Sequence, residues 1–281
     1  MGYVQDRKGP NKVFILGFFQ PFRDAIKLFI KENIKLIKIN IFFYLIRPMV
    51  GFFIAIILIL GIPIKINIYS INLFILYMIV CLRLGVYIIL ISRWSSNSNY
   101  SILGGIRSIS QSLSYEVSIF LLFFIIFRYI ESFQLLDFIK FQKNISFYLV
   151  NFMIIIVLFI RIVAELNRIP FDFIEGESEL VSGFNVEYIR VRFTFIFLAE
   201  YIIILILGII FVIIFFGNFI CRIKGIFYVL LFRILIILIR GSLPRLRYDN
   251  LIYFCWYYIL SFSIQILLFV LILKIYLFKI I

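Results

Sequence analysis

Seven stretches of this chain are too long and too apolar to sit in water. They run over residues 43–62, 71–91, 106–127, 147–165, 193–216, 226–240 and 251–273. A helix that crosses a bilayer needs about 20 mainly apolar residues, and 226–240 reaches that length only with its flanks. Backbone groups in lipid have no water to bond, so every such segment must satisfy its own N–H and C=O groups as a helix. The pattern predicts an all-α, polytopic transmembrane helix bundle with about seven spanning helices. Residues 1–281 then form a single integral membrane domain. A 64% hydrophobic composition fits that class and no soluble one.

Residues 1–40 are different. They carry Arg7, Lys8, Lys12, Arg23, Lys27, Lys31, Lys35 and Lys38, and among them Phe18, Phe19, Phe22, Ile26, Phe29 and Ile30 recur at three- and four-residue steps. That spacing predicts an amphipathic helix, with Arg23, Asp24, Lys27, Lys31 and Glu32 on its polar face. Such a helix beside a span lies in the membrane interface or packs on a partner protein. Gly9-Pro10-Asn11 and Gly17 mark turns before it. Nothing here reads as a cleavable signal.

The net charge of +14 belongs to topology rather than to nucleic acid, because the cations sit at the ends of apolar runs. One set of connections holds 18 Lys and Arg against 8 on the other side, with Arg83 and Arg233 inside spans. The richer side, which includes residues 166–190, is expected to face a mitochondrial matrix or a bacterial cytoplasm. Heavy use of Phe, Ile, Tyr, Lys and Asn, all with A/T-rich codons, points to an A/T-rich and plausibly organellar genome.

One segment breaks the pattern of charge. Of 14 acidic residues, six (Glu165, Asp172, Glu175, Glu177, Glu179 and Glu187) fall within 164–188, with no Lys or Arg between Arg168 and Arg190. Crowded carboxylates raise one another's proton affinity, most where water is scarce. The segment is either a solvated acidic loop or a place where protons are held and exchanged. Four charges read as lying inside spans: Arg83, Glu116, Glu200 and Arg233. Each costs roughly 2.5–3.5 kcal/mol at a helix centre, so each faces the bundle interior or water. Glu116 and Glu200 extend the loop acids into a carboxylate trail, or they are structural partners of buried arginines. Arg161 and Glu165, four apart, make a weak pair in this orientation. Arg240, Arg245 and Arg247 cluster around Pro244 and either bind a polar head group or anchor topology.

Chemistry of the redox kind is not carried by this chain alone. It has no histidine, and Cys81, Cys221 and Cys255 lie far apart, which excludes His-ligated haem or metal and a four-cysteine iron–sulfur cluster. The cysteines read as apolar filler. No catalytic side chain and no metal site are expected.

The run Ala164-Glu165-Leu166-Asn167-Arg168-Ile169-Pro170-Phe171-Asp172-Phe173-Ile174-Glu175-Gly176-Glu177-Ser178-Glu179-Leu180-Val181-Ser182-Gly183-Phe184-Asn185-Val186-Glu187-Tyr188 resembles the quinone-site membrane subunit family of respiratory complex I, chain 1 of the NADH–quinone oxidoreductases. GYVQDRKGPNKVFILGFFQPFRDAIKLFIKE over residues 2–32 and RGSLPRLRYDNL over 240–251 carry the same resemblance in the same order. It implies a mitochondrial inner-membrane protein that shares a ubiquinone chamber with two hydrophilic subunits and adjoins proton-pumping membrane subunits. Iron–sulfur clusters on a partner would reduce the quinone. Arg7, Arg240, Arg245 and Arg247 would border the quinone passage, with Asp24 near it. Glu116, Glu165, Asp172, Glu175, Glu177, Glu179, Glu187 and Glu200 would form the proton-linked trail. The family has a further helix before the Gly-Tyr that here is Gly2-Tyr3, and a separate polypeptide is expected to supply it. After Tyr188 the family has small residues and Gly-Pro; here Ile189-Arg190-Val191-Arg192 stand instead, two added cations expected to perturb the acidic loop.

Two readings compete with that one. A stand-alone proton or cation transporter would use the same intramembrane carboxylates, but it would ordinarily show an internal repeat, and none is found. A structural scaffold would have no need of six acids in one segment.

Overall fold

The computed structural model describes residues 2–32, 39–63, 71–143, 146–172, 188, 190–217 and 223–280. All regular structure among them is helical. The long helices are α2 (Ile41–Leu60), α3 (Phe74–Ser96), α4 (Asn99–Ile130), α8 (Val191–Phe216) and α9 (Ile223–Ser242). Shorter ones are α1 (Gln20–Ile30), α5 (Leu135–Phe141), α6 (Phe147–Val150) and α7 (Phe152–Glu165). The C-terminal rod is α10 (Tyr248–Tyr253), a π-helical segment over Phe254–Leu260, and α11 (Ser261–Ile280). The all-α, polytopic expectation holds. Among the described residues five helices are long and apolar enough to cross a membrane: Ile41–Leu60, Phe74–Ser95, Ser101–Ile130, Val191–Phe216 and Tyr248–Tyr276.

Two expected spans come out differently. The 147–165 segment is broken at Asn151 into α6 and α7, leaving α7 only 14 residues, or roughly 21 Å of helix. The break has a partner, because the Tyr129 hydroxyl donates to the Asn151 side-chain oxygen at 3.2 Å. Residues 226–240 lengthen on both sides into α9, which carries Lys224, Arg233 and Arg240 along its 20 residues. The N-terminal amphipathic helix forms as expected at α1, and none of its residues is buried. Before it, Gly17 has φ +72°, and a Cβ there would meet the Pro10 carbonyl oxygen at 1.9 Å, so only glycine fits.

Consecutive helices α2, α3 and α4 pack side by side, and α8 returns to lie against α2. Helix α7 packs on α4, α9 on α8, and the C-terminal rod on α4. The main core joins α4, α5, α7 and the second half of α8, with Leu122, Ile125, Phe138, Leu158, Ile213 and Phe215 almost wholly buried. At the end of α8, Gly217 takes φ +60° with Gln142 so close that a Cβ would lie 2.6 Å from it. A second, smaller cluster of Tyr44, Tyr188 and Ile196 holds the start of α8 to α2.

Candidate functional site

Helix α7 ends at Glu165, and the chain then turns back on itself. Asn167 takes φ 50°, a left-handed conformation that asparagine tolerates. The Phe171 N–H donates to the Arg168 carbonyl at 2.8 Å. Gln111, buried on α4, fixes this turn from outside. Its Nε2 donates to the Ala164 carbonyl at 3.3 Å and to the Phe171 carbonyl at 2.9 Å. The Leu246 N–H adds a bond to the Pro170 carbonyl at 3.1 Å. Both polypeptide ends of the turn are therefore tied to other elements, and Arg168 is presented at a set position.

Arg168 Nη2 sits 3.0 Å from Glu200 Oε2 on α8, and its guanidinium lies 5.5 Å from the Tyr201 ring centre. Arg168 is buried while Glu200 is partly open. What Glu200 opens onto is a cavity of about 140 Å³ between α2, α3, α4, the end of α7 and α8. Arg47, Glu165, Arg168 and Glu200 are its charged lining; Pro48, Gly51 and Gly85 are among the rest. Glu165 Oε2 is buried and has no hydrogen-bond partner among the described residues. A carboxylate so placed must be protonated, watered or approached by a cation. Arg47 is close enough to feel the charge of Glu200. One turn of α4 beyond the cavity-lining Ser112, Glu116 Oε2 lies 3.5 Å from Arg83 Nε on α3, and its charge reaches Glu165.

Three of the sequence-picked acids, Glu116, Glu165 and Glu200, are thus brought into one electrostatic neighbourhood. Asp172 follows the Gln111-held turn and is half-buried. Glu175, Glu177, Glu179 and Glu187 lie outside the described residues. The structural alternative also holds part of the ground, since Glu116 and Glu200 each have an arginine partner.

The other group of site residues is scattered along the sequence yet partly adjoining. The turn Gly2–Gln5 docks on the end of α9: Gln5 Nε2 donates to the Gly241 carbonyl at 3.4 Å, and Gly241 lies against Val4. This sets the segment of Arg7, which is exposed, beside that of Arg240 and Arg245, both half-buried. Arg247 is exposed and paired with Asp249 at 3.1 Å. Asp24 is exposed on α1 and accepts from Gln20 Nε2 at 3.0 Å, with no link to the cavity among the described contacts.

Sequence reasoning missed several members. Arg47 counts by sequence as a topology cation, yet it is buried inside α2 next to Pro48. The reading of the cysteines as filler fails for Cys255. Arg161, wholly buried, donates through Nη1 to Cys255 Sγ at 2.6 Å and through Nη2 to the Cys255 carbonyl at 3.2 Å, and covers the Tyr115 ring at 4.7 Å. A guanidinium in the bundle needs acceptors, and a thiol with a carbonyl supplied them. The Cys255 carbonyl lies in the first turn of the π-helical segment, where helical hydrogen bonding is already irregular. Cys81 lines the cavity and Cys221 is outside the described residues.

Comparison with known proteins gives this chain a family. Residues 1–271 match the NADH dehydrogenase family. The chain is 44% identical over 276 residues to NADH-ubiquinone oxidoreductase chain 1 of Aedes aegypti, covering 98% of this chain and 88% of that one. It is 43% identical over 276 residues to the same-named protein of Anopheles gambiae, with the same coverage. Against that of Locusta migratoria it is 42% identical over 281 residues, 100% of this chain and 90% of the relative. Identity at this level along nearly the full length of both partners extends from the Gly2–Gln5 turn through the cavity to the C-terminal rod, so the chain belongs to the NADH dehydrogenase family.

Proposed function

We propose that this chain is the membrane subunit of respiratory complex I that forms part of the ubiquinone chamber and couples quinone reduction by NADH to proton translocation. The names of its relatives support the enzyme, NADH–ubiquinone oxidoreductase, and with it ubiquinone as substrate and other complex I subunits as partners. The observation that carries the coupling role is the cavity itself. Glu165 and Glu200 face it together with Arg47 and Arg168, and Glu116 stands close behind. In lipid such groups are costly, and a bundle retains them where charge or protons move. The acids from Glu116 through Glu165 and Glu200 continue in this reading into Asp172, Glu175, Glu177, Glu179 and Glu187 as the proton-linked trail. Arg7, Arg240, Arg245 and Arg247, with Asp24, border the quinone passage at the docked N-terminal turn. Iron–sulfur clusters on partner subunits deliver the electrons. In this reading the protein spans the mitochondrial inner membrane, with the acidic segment on the matrix side.

Glu200→Gln and Glu165→Gln in the assembled, membrane-reconstituted complex test this. Both lower NADH-driven proton movement, and quinone reduction falls with it because the two are linked. Asp137→Asn, far from the cavity on α5, leaves both in place. Normal pumping in both glutamine variants overturns the reading. Proton conductance through the purified chain alone, without NADH, would favour a stand-alone transporter instead.

A further inference from the structure

The two cations at the start of α8, Arg190 and Arg192, look at first like neutralisers of the acidic segment. Their described contacts go elsewhere. Arg190 donates through Nε and Nη2 to the Phe29 carbonyl, both at 3.3 Å, and so ties the last turn of α1 to the start of α8. Arg192 places its guanidinium 4.9 Å from the ring centre of Tyr44 on α2. Tyr44 stacks on Tyr188 with centres 4.5 Å apart and planes within 13°. Arg47, the cavity guanidinium, lies 5.1 Å from the Tyr188 ring centre. The inner faces of the two rings cover one another, so the cations take the outer ones. The order is cation, ring, ring, cation. Both rings are almost fully buried and belong to one small apolar cluster with Ile196. Desolvated cations over tyrosine faces, and rings in offset stacks, are each directional enough to set a position.

We propose that Arg192, Tyr44, Tyr188 and Arg47 act as one positioning stack, closed by Arg192, which holds the Arg47 guanidinium at the cavity wall against the chain leaving the acidic segment. Tyr188 directly follows Glu187, so the stack joins the residue that ends that segment to the cavity through ring contacts. The functional half of this inference rests on the cavity reading above. The positional half does not.

The experiment uses the assembled complex carrying Arg192→Gly, Arg192→Lys, Tyr44→Phe or Tyr44→Leu. Two readouts are taken: hydrogen exchange in the peptide spanning residues 188–196, and the KM for decylubiquinone set against kcat. Arg192→Gly speeds exchange and raises KM about three- to ten-fold, the loss of one cation–ring contact, with a smaller change in kcat. Arg192→Lys restores most of both, and Tyr44→Phe behaves as the parent while Tyr44→Leu behaves as Arg192→Gly. Exchange unchanged in Arg192→Gly overturns the stack, as does Tyr44→Phe failing as badly as Tyr44→Leu, since the hydroxyl and not the ring would then be what matters. If Arg192→Gly does not assemble, the Tyr44 pair decides alone. A faster exchange with unchanged KM keeps the stack and removes its link to the cavity. Glu200→Gln and Glu165→Gln, run beside these, keep the two readings apart: normal pumping in both would sink the coupling function and leave the stack standing.

Discussion

The two halves of α8 are one helix under two regimes. From Ile206 to Phe215 every residue except Ile209 is buried, packed by Phe159 of α7, Phe232 of α9 and Gln142 after α5. From Val191 to Leu205 only Thr194, Ile196 and Ala199 are buried, and the helix borders a cavity and carries Glu200. In lipid there is little hydrophobic drive between helices, so close packing is what holds them. The second half supplies it, with Gly208 letting the Phe232 ring approach a would-be Cβ at 3.0 Å. The first half gives up packing for a charged space and depends on the Arg168 ion pair and the tyrosine stack to keep its shape. The proposed site therefore sits on the less dense half, anchored by the denser one.

The largest effect should come from the dense half. Phe215→Ala removes a ring that is fully buried and should cost about 3–5 kcal/mol, read as the shift in reversible SDS unfolding of the chain in mixed micelles. Leu198→Ala, exposed on the other half, should cost under about 0.5 kcal/mol. Equal costs would break the comparison. Next comes the ion pair. Arg168→Ala strands Glu200 beside the cavity and should cost about 2 kcal/mol, whereas Arg168→Met with Glu200→Leu should recover most of it, because two matched apolar groups need no partner. A double variant as unstable as the single one would mean that the pair is not what shapes this half. Smaller again is Gln142→Leu. It loses the 2.6 Å bond from Nε2 to the Ile214 carbonyl and the 3.4 Å bond accepted from the Phe147 N–H, for about 1 kcal/mol by the same measure.

These effects divide along the line that the sequence could and could not draw. The spans were legible because lipid leaves one solution for a long apolar run, and α2, α3, α4 and α8 fall where the runs are. The interruption at Asn151 was not, because one asparagine in an apolar run breaks a helix only if something rewards it, and the Tyr129 hydroxyl is 22 residues away. Glu116 and Glu200 were legible by their cost in a membrane. Their partners were not: Arg83 and Arg168 lie 33 and 32 residues from them, distances set by how α3, α4, α7 and α8 pack. Arg161 shows the same limit from the other side. Its sequence neighbour Glu165 is a turn away, but its side chain goes to Cys255, 94 residues on. The cavity belongs to the same class, since it is a property of five helices and of no segment.

The smallest effect concerns charge outside the membrane at the dense end. Lys140 Nζ donates to Asp137 Oδ1 at 3.0 Å on α5, and this bond holds the Asp137 carboxyl below its ordinary range. A carboxyl with a depressed folded-state pKa adds stability above the unfolded value of about 3.9 and loses it as pH falls through the lower, folded one. Lys140→Ala should therefore destabilise by no more than about 0.5 kcal/mol at neutral pH, as exposed pairs do, and by nothing once pH is well below that range. Glu131, bonded by Lys274 and likewise held low, should follow the same direction. The Lys140–Asp137 pair is exposed, so screening keeps it weak, whereas the Arg168–Glu200 pair borders a cavity within the bundle. If raising salt to 1 M, where screening acts within about 3 Å, erases the Lys140 effect and leaves the Arg168 effect, the contrast between the two ends of α8 is one of dielectric environment. If salt erases both, the cavity is as wet as the surface and the first half of α8 holds its charge by solvation instead.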